Sequence, residues 1–386
     1  MPVIDADTHI DESEATWDHL LPDEEQFRPK TAFPENREVN PFMRYWVIDG
    51  RRQIRFIRND QQTKTTVETR ELLDIDARLR DMDRLGVETQ VIYPTLFLVE
   101  FTERPELALA LRRSYNRWLA ERCRTSGGRL RWVALPPLHN IPAAIDELKF
   151  ARDNGACGVL KKGNQEAGAW ICDPYFFPFY EAAGQLGLPM CVHTGSGVPD
   201  FTPARVFTHS SFYRITLPVV HAFESLILHA VPSRFPGLRW GFIEATASWV
   251  PFILYDLRRR LAKSKDRPES ALRAASQTVY EVPADVLTKN RMYVSCQVDE
   301  DLPYIMQFTG QDSLLVGSDY THNDAAQEMN FQQLLEQRAG QGCDKVRVLE
   351  ATGELAFGLE AGAEQGVIGD AAADELQGDH PLVLAP

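Results

Sequence analysis

Residues 143–160, AAIDELKFARDNGACGVL, read as a helix over Ala143–Asn154 that stops at Gly155, then a strand over Cys157–Leu160. The next stretch repeats the order: Pro174–Leu186 is helical, and Gly187-Leu188-Pro189 turns the chain into the strand Met190–His193. Glycine and proline punctuate these junctions because neither continues a helix. Working outward, the same alternation runs toward both ends. On the N-terminal side come the helices Leu72–Leu85 and Pro105–Cys123 and the strands Val87–Tyr93 and Leu130–Leu135. On the C-terminal side the helices are Leu217–Val231, Val250–Lys263, Leu302–Thr309 and Ala326–Arg338, and the strands are Leu238–Ile243, Arg291–Cys296 and Ser313–Gly317. With Val3–Ala6 as the first strand, each of eight strands is followed by a helical pattern. Strands alternating with helices imply a parallel sheet. Eight such units in roughly 320 residues predict a closed (β/α)8 TIM barrel. No glycine-rich phosphate loop follows the first strand, which removes the main support for an open doubly wound sheet.

Two segments depart from the repeat. Residues 20–70 interrupt the first unit and contain Trp46-Val47-Ile48-Asp49-Gly50-Arg51-Arg52-Gln53-Ile54. Asp-Gly flanked by β-type residues is a hairpin signal. The segment reads as a β-rich insertion over the barrel mouth, within a barrel domain of residues 1–361. Residues 362–386, rich in Ala, Gly, Asp and Glu, read as a C-terminal tail.

The 386 residues are 44% hydrophobic and 25% charged, the composition of a soluble globular protein. A net charge of −14 argues against a nucleic-acid groove, which needs a basic stripe. The local run Arg258-Arg259-Arg260 with Lys263 and Lys265 reads as a solvated helix face. There is no secretory h-region at the N-terminus, and no apolar run of the roughly 20 residues that a membrane span needs. Six cysteines without CxxC pairing suit free thiols in a reducing compartment. These features predict a cytoplasmic protein that handles a small molecule.

In such a barrel the functional side chains sit at the C-terminal strand ends. The first strand ends in Asp7-Thr8-His9, and strand alternation aims Asp7 and His9 the same way, with Asp5 in support. The fifth ends in His193, the sixth in Glu244, and the eighth in Asp319 within Gly317-Ser318-Asp319-Tyr320-Thr321-His322. Imidazoles and carboxylates are the ligands of Zn²⁺, Mn²⁺ or Fe²⁺. One His or Asp at a strand end more often makes a hydrogen bond or caps a helix. Four strand ends converging on ligand chemistry point to one divalent ion, zinc first, with room for a second.

The run Val3-Ile4-Asp5-Ala6-Asp7-Thr8-His9 resembles the opening of the amidohydrolase superfamily. Asp7 stands in place of the first His of its H-x-H pair, as in the amidohydrolase-related branch that includes the aminocarboxymuconate-semialdehyde decarboxylase-like enzymes. Arg234-Phe235-Pro236-Gly237-Leu238-Arg239-Trp240 and Gly317-Ser318-Asp319-Tyr320 with His322 fit the same branch, over roughly residues 1–19 and 72–360. The resemblance implies Asp7, His9, His193 and Asp319 as metal ligands, Asp319 as proton carrier, and a homodimer or larger homo-oligomer. One departure is Glu244-Ala245-Thr246-Ala247-Ser248-Trp249, where the family's decarboxylases resemble one another in having a His followed by glycines. A carboxylate is a poor proton donor at neutral pH unless its pKa is raised, but it is a good ligand or base.

That departure shifts the sequence expectation to a divalent-metal hydrolase cleaving an ester, thioester, lactone or amide of a small organic acid. Asp319 and Glu244 would manage protons. A metal-dependent non-oxidative decarboxylase of an aromatic or unsaturated acid is the rival, and a catalytically silent binding barrel is the third reading. His221 and His322 are further catalytic candidates, with plain packing as the alternative. Lys161 and Lys162 end the fourth strand, where one can hold an anionic group. Trp46, with Phe42, Tyr45, Phe201, Phe207, Phe212 and Tyr213, is expected to wall the substrate pocket or to form the insertion's own core.

Overall fold

The structure, a computed structural model, describes residues 3–34, 44–55, 58–200, 211–264, 281–338 and 356–358. The tail expected over 362–386, and Lys265, Phe42, Phe201 and Phe207, lie outside the described residues.

Eight parallel strands form one sheet, in the order β1 (Ile4–His9), β5 (Thr89–Tyr93), β6 (Leu130–Ala134), β7 (Ala156–Lys162), β8 (Met190–His193), β9 (Trp240–Ile243), β10 (Met292–Ser295) and β11 (Leu314–Leu315). A helix follows each of them: α1 (Ile75–Leu85), α2 (Pro105–Arg124), α3 (Ile141–Asp153), α4 (Phe177–Gln185), α5 (Leu217–Leu228), α6 (Trp249–Ser264), α7 (Leu302–Thr309) and α8 (Phe331–Arg338). Because helices cover the outer face, the strands are buried on both sides and read as apolar runs rather than alternating ones. Outside the strands, Trp240 of β9 meets Tyr180 of α4 edge-on at 5.1 Å, and Phe242 meets Phe223 of α5 at 5.2 Å. Side-chain caps start the helices where the sequence turns: Asp74 accepts from Ala77 N, Asn140 from Ala143 N and Asp301 from Tyr304 N.

The eighth strand is shorter than its predicted span Ser313–Gly317, yet it closes the barrel. Ala6 N donates to Val316 O (3.0 Å), His9 N to Tyr320 O (2.9 Å), and Asp319 N to Asp7 O (2.9 Å). A Cβ on Gly317 would lie 2.5 Å from the Asp7 Cβ, so only glycine lets the two backbones approach this closely. Ser318 donates to buried Asp5 through its N–H (2.8 Å) and its hydroxyl (2.5 Å). The expected helix Ala326–Arg338 begins only at Phe331, because the chain before it forms the loop beyond Asp319.

The insertion is a three-stranded antiparallel sheet of β2 (Lys30–Ala32), β3 (Arg44–Ile48) and β4 (Arg51–Arg55). Its β3–β4 turn is Asp49-Gly50 with φ of +51° and +74°, the left-handed pair that a two-residue hairpin needs. It lies on loops at the C-terminal strand ends. Arg58 pairs with Asp11 after β1, Arg104 after β5 pairs with Asp49, and Asn323 after β11 donates to Gln62 (3.2 Å). Trp46 is 1% exposed, edge-on to Trp17 at 5.6 Å and covered by the Arg55 guanidinium at 4.2 Å. Its assignment as a substrate contact is therefore corrected: its whole surface is committed to the insertion's core.

Candidate metal centre

Asp7 and His9 of β1, His193 at the end of β8 and Glu244 just beyond β9 place one ligand-type atom each within 4.8 Å of one another. His9 Nε2 and His193 Nε2 each lie 3.3 Å from Asp7 Oδ1, and His193 Nε2 lies 3.5 Å from Glu244 Oε2. Asp319 adjoins this group, its Oδ1 3.5 Å from His9 Nε2 and 2.8 Å from His322 Nδ1. All six side chains are buried. The five residues expected from the sequence to bind metal thus share one centre, and His322 stands beside them.

The hydrogen bonds behind the imidazoles decide which nitrogens face inward. His9 Nδ1 lies 2.8 Å from Pro94 O, and His193 Nδ1 lies 3.1 Å from Thr194 O. A carbonyl only accepts, so each Nδ1 carries the proton and each Nε2 presents a lone pair to the centre. This backing is the arrangement that orients metal-ligating histidines. Among the described residues, His9 Nε2 and both Asp319 oxygens are buried without a hydrogen-bond partner. Buried polar atoms left so are costly unless something absent from the chain completes them. Inward lone pairs beside carboxylates are the donor set of a divalent cation, so these residues fit one.

Three carboxyls crowd this space, and they divide the charge unequally. Burial pushes the Asp7 carboxyl up, but the adjoining His193 and His9 imidazoles outweigh it and hold it well below the usual range. Burial lowers His193, yet Asp7 and Glu244 more than restore it, leaving it raised. Glu244 is pushed up to about 8, first by burial and then by Asp7 and Asp324, against the opposing pull of His193. Asp319 is raised well above a normal aspartate by burial, with Glu244, Asp324 and Asp7 adding to it. Burial and mutual repulsion thus favour the protonated forms of Glu244 and Asp319, while the imidazoles favour the ionised form of Asp7.

The backbone is bent to aim these groups. Glu244 (φ +58°), Thr246 (+59°), Asp319 (+49°) and Thr321 (+86°) all adopt left-handed conformations, which branched threonines in particular resist. Strain gathered at two strand ends is characteristic of functional sites. Glu244 is further fixed by the Thr194 hydroxyl (2.5 Å) and by Ser295 Oγ, which accepts from Glu244 N (2.8 Å).

The remaining candidates fall differently. Lys162 pairs in register with His193 and so shares its inward face; its Nζ lies 3.2 Å from Glu100. Lys161 faces the opposite way, bound to Glu166 (2.5 Å) beneath the Phe176 ring, which removes it from substrate contact. His221 packs against Trp170 (4.5 Å) and lies outside the donor groups found among the described residues, in keeping with the packing alternative. Phe212 lies exposed before α5, while Tyr45 is half-buried in the insertion. The sequence reading missed Asp324, an exposed carboxylate that joins Glu244, Asp319 and His322 in a second potential group. Its place five residues after Asp319 was the available signal. Pro94, Thr194 and Ser295 carried none, because their roles arise only through partners distant in sequence.

Comparison with known proteins follows this geometry. A family profile described as Amidohydrolase matches residues 4–350. The chain is 30% identical over 136 residues to gamma-resorcylate decarboxylase of Rhizobium sp. (strain MTP-10005), a match covering 33% of this chain and 42% of the relative. The chain thus spans about two fifths of the length of the curated relatives it matches. An amidohydrolase from Mycobacterium avium subsp. paratuberculosis K-10 superposes with a TM-score of 0.71 at 17% identity, covering 91% of this chain and 96% of the other. A mutant 5-carboxyvanillate decarboxylase from Novosphingobium aromaticivorans, with bound manganese and 3-methoxy-4-hydroxy-5-nitrobenzoic acid, superposes with a TM-score of 0.59 at 16% identity over 78% and 82% of the two chains. Among the described residues no helix is long and apolar enough to cross a membrane. With its profile match running from the first strand past the eighth, the chain belongs to the amidohydrolase family.

Proposed function

We propose that the protein is a metal-dependent, non-oxidative decarboxylase of an aromatic carboxylic acid. The observation that carries this reading is Asp319, a buried carboxyl at the eighth strand end, 2.8 Å from His322 Nδ1 and raised well above a normal aspartate by burial. Decarboxylation breaks the bond between ring and carboxylate and leaves an electron pair on the ring carbon, which must receive a proton as carbon dioxide departs. A neutral acid at the centre supplies that proton. The sequence expectation of hydrolysis rested on Glu244 being a poor proton donor. Held at about 8, Glu244 is itself a neutral acid, so that objection loses its ground.

Asp7, His9 and His193 would hold a divalent ion, which would supply Lewis-acid stabilisation of an anionic substrate. Zinc, manganese and iron all suit these donors, and the manganese of the carboxyvanillate relative favours testing that ion first. Lys162, on the inward face beside His193, holds a second anionic substituent, and its partner Glu100 limits which substituents fit. The relatives' names, gamma-resorcylate and 5-carboxyvanillate decarboxylase, support a hydroxylated aromatic acid as substrate class.

The test is product analysis. Protein loaded with manganese or zinc should release carbon dioxide from a panel of hydroxybenzoates and leave aryl esters, thioesters and lactones intact. Ester or lactone cleavage without carbon dioxide would replace this reading with the hydrolytic one, which uses the same donors. Failure to bind any divalent ion would leave only a binding barrel.

A further inference from the structure

Helix α6 opens with Trp249-Val250-Pro251, so its first turn holds no Glu or Gln to reach back to the residue before it. The carboxyl comes instead from Glu300, in the loop after β10. Both its oxygens accept from Ala247 N (3.0 and 3.1 Å). Oε1 also accepts from Ser248 N (2.7 Å) and from the Ser248 hydroxyl, and Oε2 from Gln297 N (2.7 Å). Three backbone amides and one hydroxyl thus converge on one carboxylate, a stronger acceptor than any neutral oxygen. Glu300 is half-buried, and its carbonyl accepts from Arg338 of α8.

What this carboxylate holds is the turn that leads out of the metal centre. Between β9 and α6 the chain is Glu244-Ala245-Thr246-Ala247-Ser248, with φ of +58° at Glu244 and +59° at Thr246. A residue other than glycine keeps a left-handed backbone only where its surroundings over-determine it. Here they do so from both ends. Ser295 of β10 holds Glu244 N (2.8 Å), and Glu300 in the loop beyond it holds Ala247 and Ser248. Inside the turn, the Trp249 indole N–H donates to Ala245 O (3.0 Å) and Thr246 O (2.8 Å), and its ring meets Phe223 edge-on at 5.0 Å. β10 and its loop therefore set the angle at which β9 delivers Glu244 to the Thr194 hydroxyl and to His193.

We propose that Glu300 is a positioning residue whose carboxylate, by gathering the Ala247 and Ser248 amides, imposes the left-handed turn that aims Glu244 at the centre. The placement stands on geometry; its effect on turnover rests on the decarboxylase reading. Glu300→Gln keeps size and shape but turns an NH2 group toward N–H donors, so the four donors cannot all be met. Crystal structures of the wild type and of Glu300→Gln should show the Glu244 carboxyl withdrawn from the Thr194 hydroxyl by about 1 Å or more. kcat for carbon dioxide release should fall about tenfold or more with KM changed less than about twofold. In a Glu244→Gln background the same substitution should cost less than about twofold further, because two residues acting through one group do not add. Glu300→Asp keeps the charge, pulled back by one methylene, and should recover part of the loss. An unmoved Glu244 in Glu300→Gln, or losses that multiply in the double variant, overturns the proposal. If Glu300→Gln fails to fold, Glu300→Asp taken through the same structures and the same pairing with Glu244→Gln decides. Absence of carbon dioxide release leaves the crystal structures to decide and counts against the reaction, not the positioning.

Discussion

The insertion and the rim of strand ends are both rich in charge, and they treat it in opposite ways. In the insertion, Arg55 lies between Glu14 and Glu71 with its guanidinium over Trp46, and Arg70 reaches Asp60 (2.7 Å). Opposite charges meet, rings interlock, and the hairpin turn has the residues its geometry favours. At the rim, Asp7, Glu244 and Asp319 share a buried space, imidazole lone pairs face inward, and four residues hold left-handed conformations. A satisfied region contributes stability, whereas an unsatisfied one costs stability and persists because a ligand completes it. Large perturbations of ionisation at the rim fit that division.

Metal removal should have the largest effect. Chelation ought to abolish turnover and lower Tm, and readdition of manganese or zinc ought to restore both, because an ion that binds only the folded state stabilises it. Metal analysis with a thermal melt checks this, and full activity in a chelator-treated, metal-free protein would break the comparison. Trp46→Ala should act on the other region, costing about 3–5 kcal/mol of stability. Metal content and kcat per folded molecule should stay unchanged, as denaturant melts and metal analysis would reveal. Loss of metal on that change would mean that the two regions are not independent. Asp319→Asn should lower kcat by about a hundredfold or more, since an amide carries no transferable carboxyl proton, and leave Tm level or higher. Steady-state kinetics beside a melt separate the two effects.

Acid–base behaviour sharpens the contrast further. Burial pushes both Asp5 and Glu12 up to about 7. The folded chain therefore keeps protons that the unfolded chain releases above its ordinary carboxyl values of 3.8 and 4.5. The unfolded state then binds fewer protons, so stability falls as pH rises from about 4.5 to about 7 and levels off beyond. The loss should be on the order of several kcal/mol, read from melts of the metal-free protein, and Glu12→Gln should flatten part of it. The smallest effect is expected at the exposed Arg104–Asp49 pair. Arg104→Ala should change stability by less than about 1 kcal/mol in denaturant melts.

Much of this molecule is legible in one dimension. Met190–His193 and Leu302–Thr309 match their predicted spans, and the Asp49-Gly50 turn forms as its residues require. Asp7, His9, His193, Glu244 and Asp319 could be named because a barrel presents its strand ends to one place. The alternatives that the sequence left open share a cause. Lys161 and Lys162 are neighbours with the same side chain, and only register with His193 shows which faces inward. Trp46 looked available for a pocket until Trp17 and Arg55 closed over it, and His221 meets Trp170 only in the fold.

The amino-acid order by itself determined the eightfold alternation, the ligand chemistry at four strand ends and the kinship of the barrel. These are local properties, set by periodicity and residue type. Tertiary structure alone decided which nitrogen of each imidazole at β1 and β8 faces the centre and which carboxyls are pushed up by burial. It also tied Glu300 to the turn beyond Glu244, more than fifty residues away along the chain. Protonation and tautomer depend on burial and on partners that only folding brings within hydrogen-bonding distance, and these determine how the centre can react.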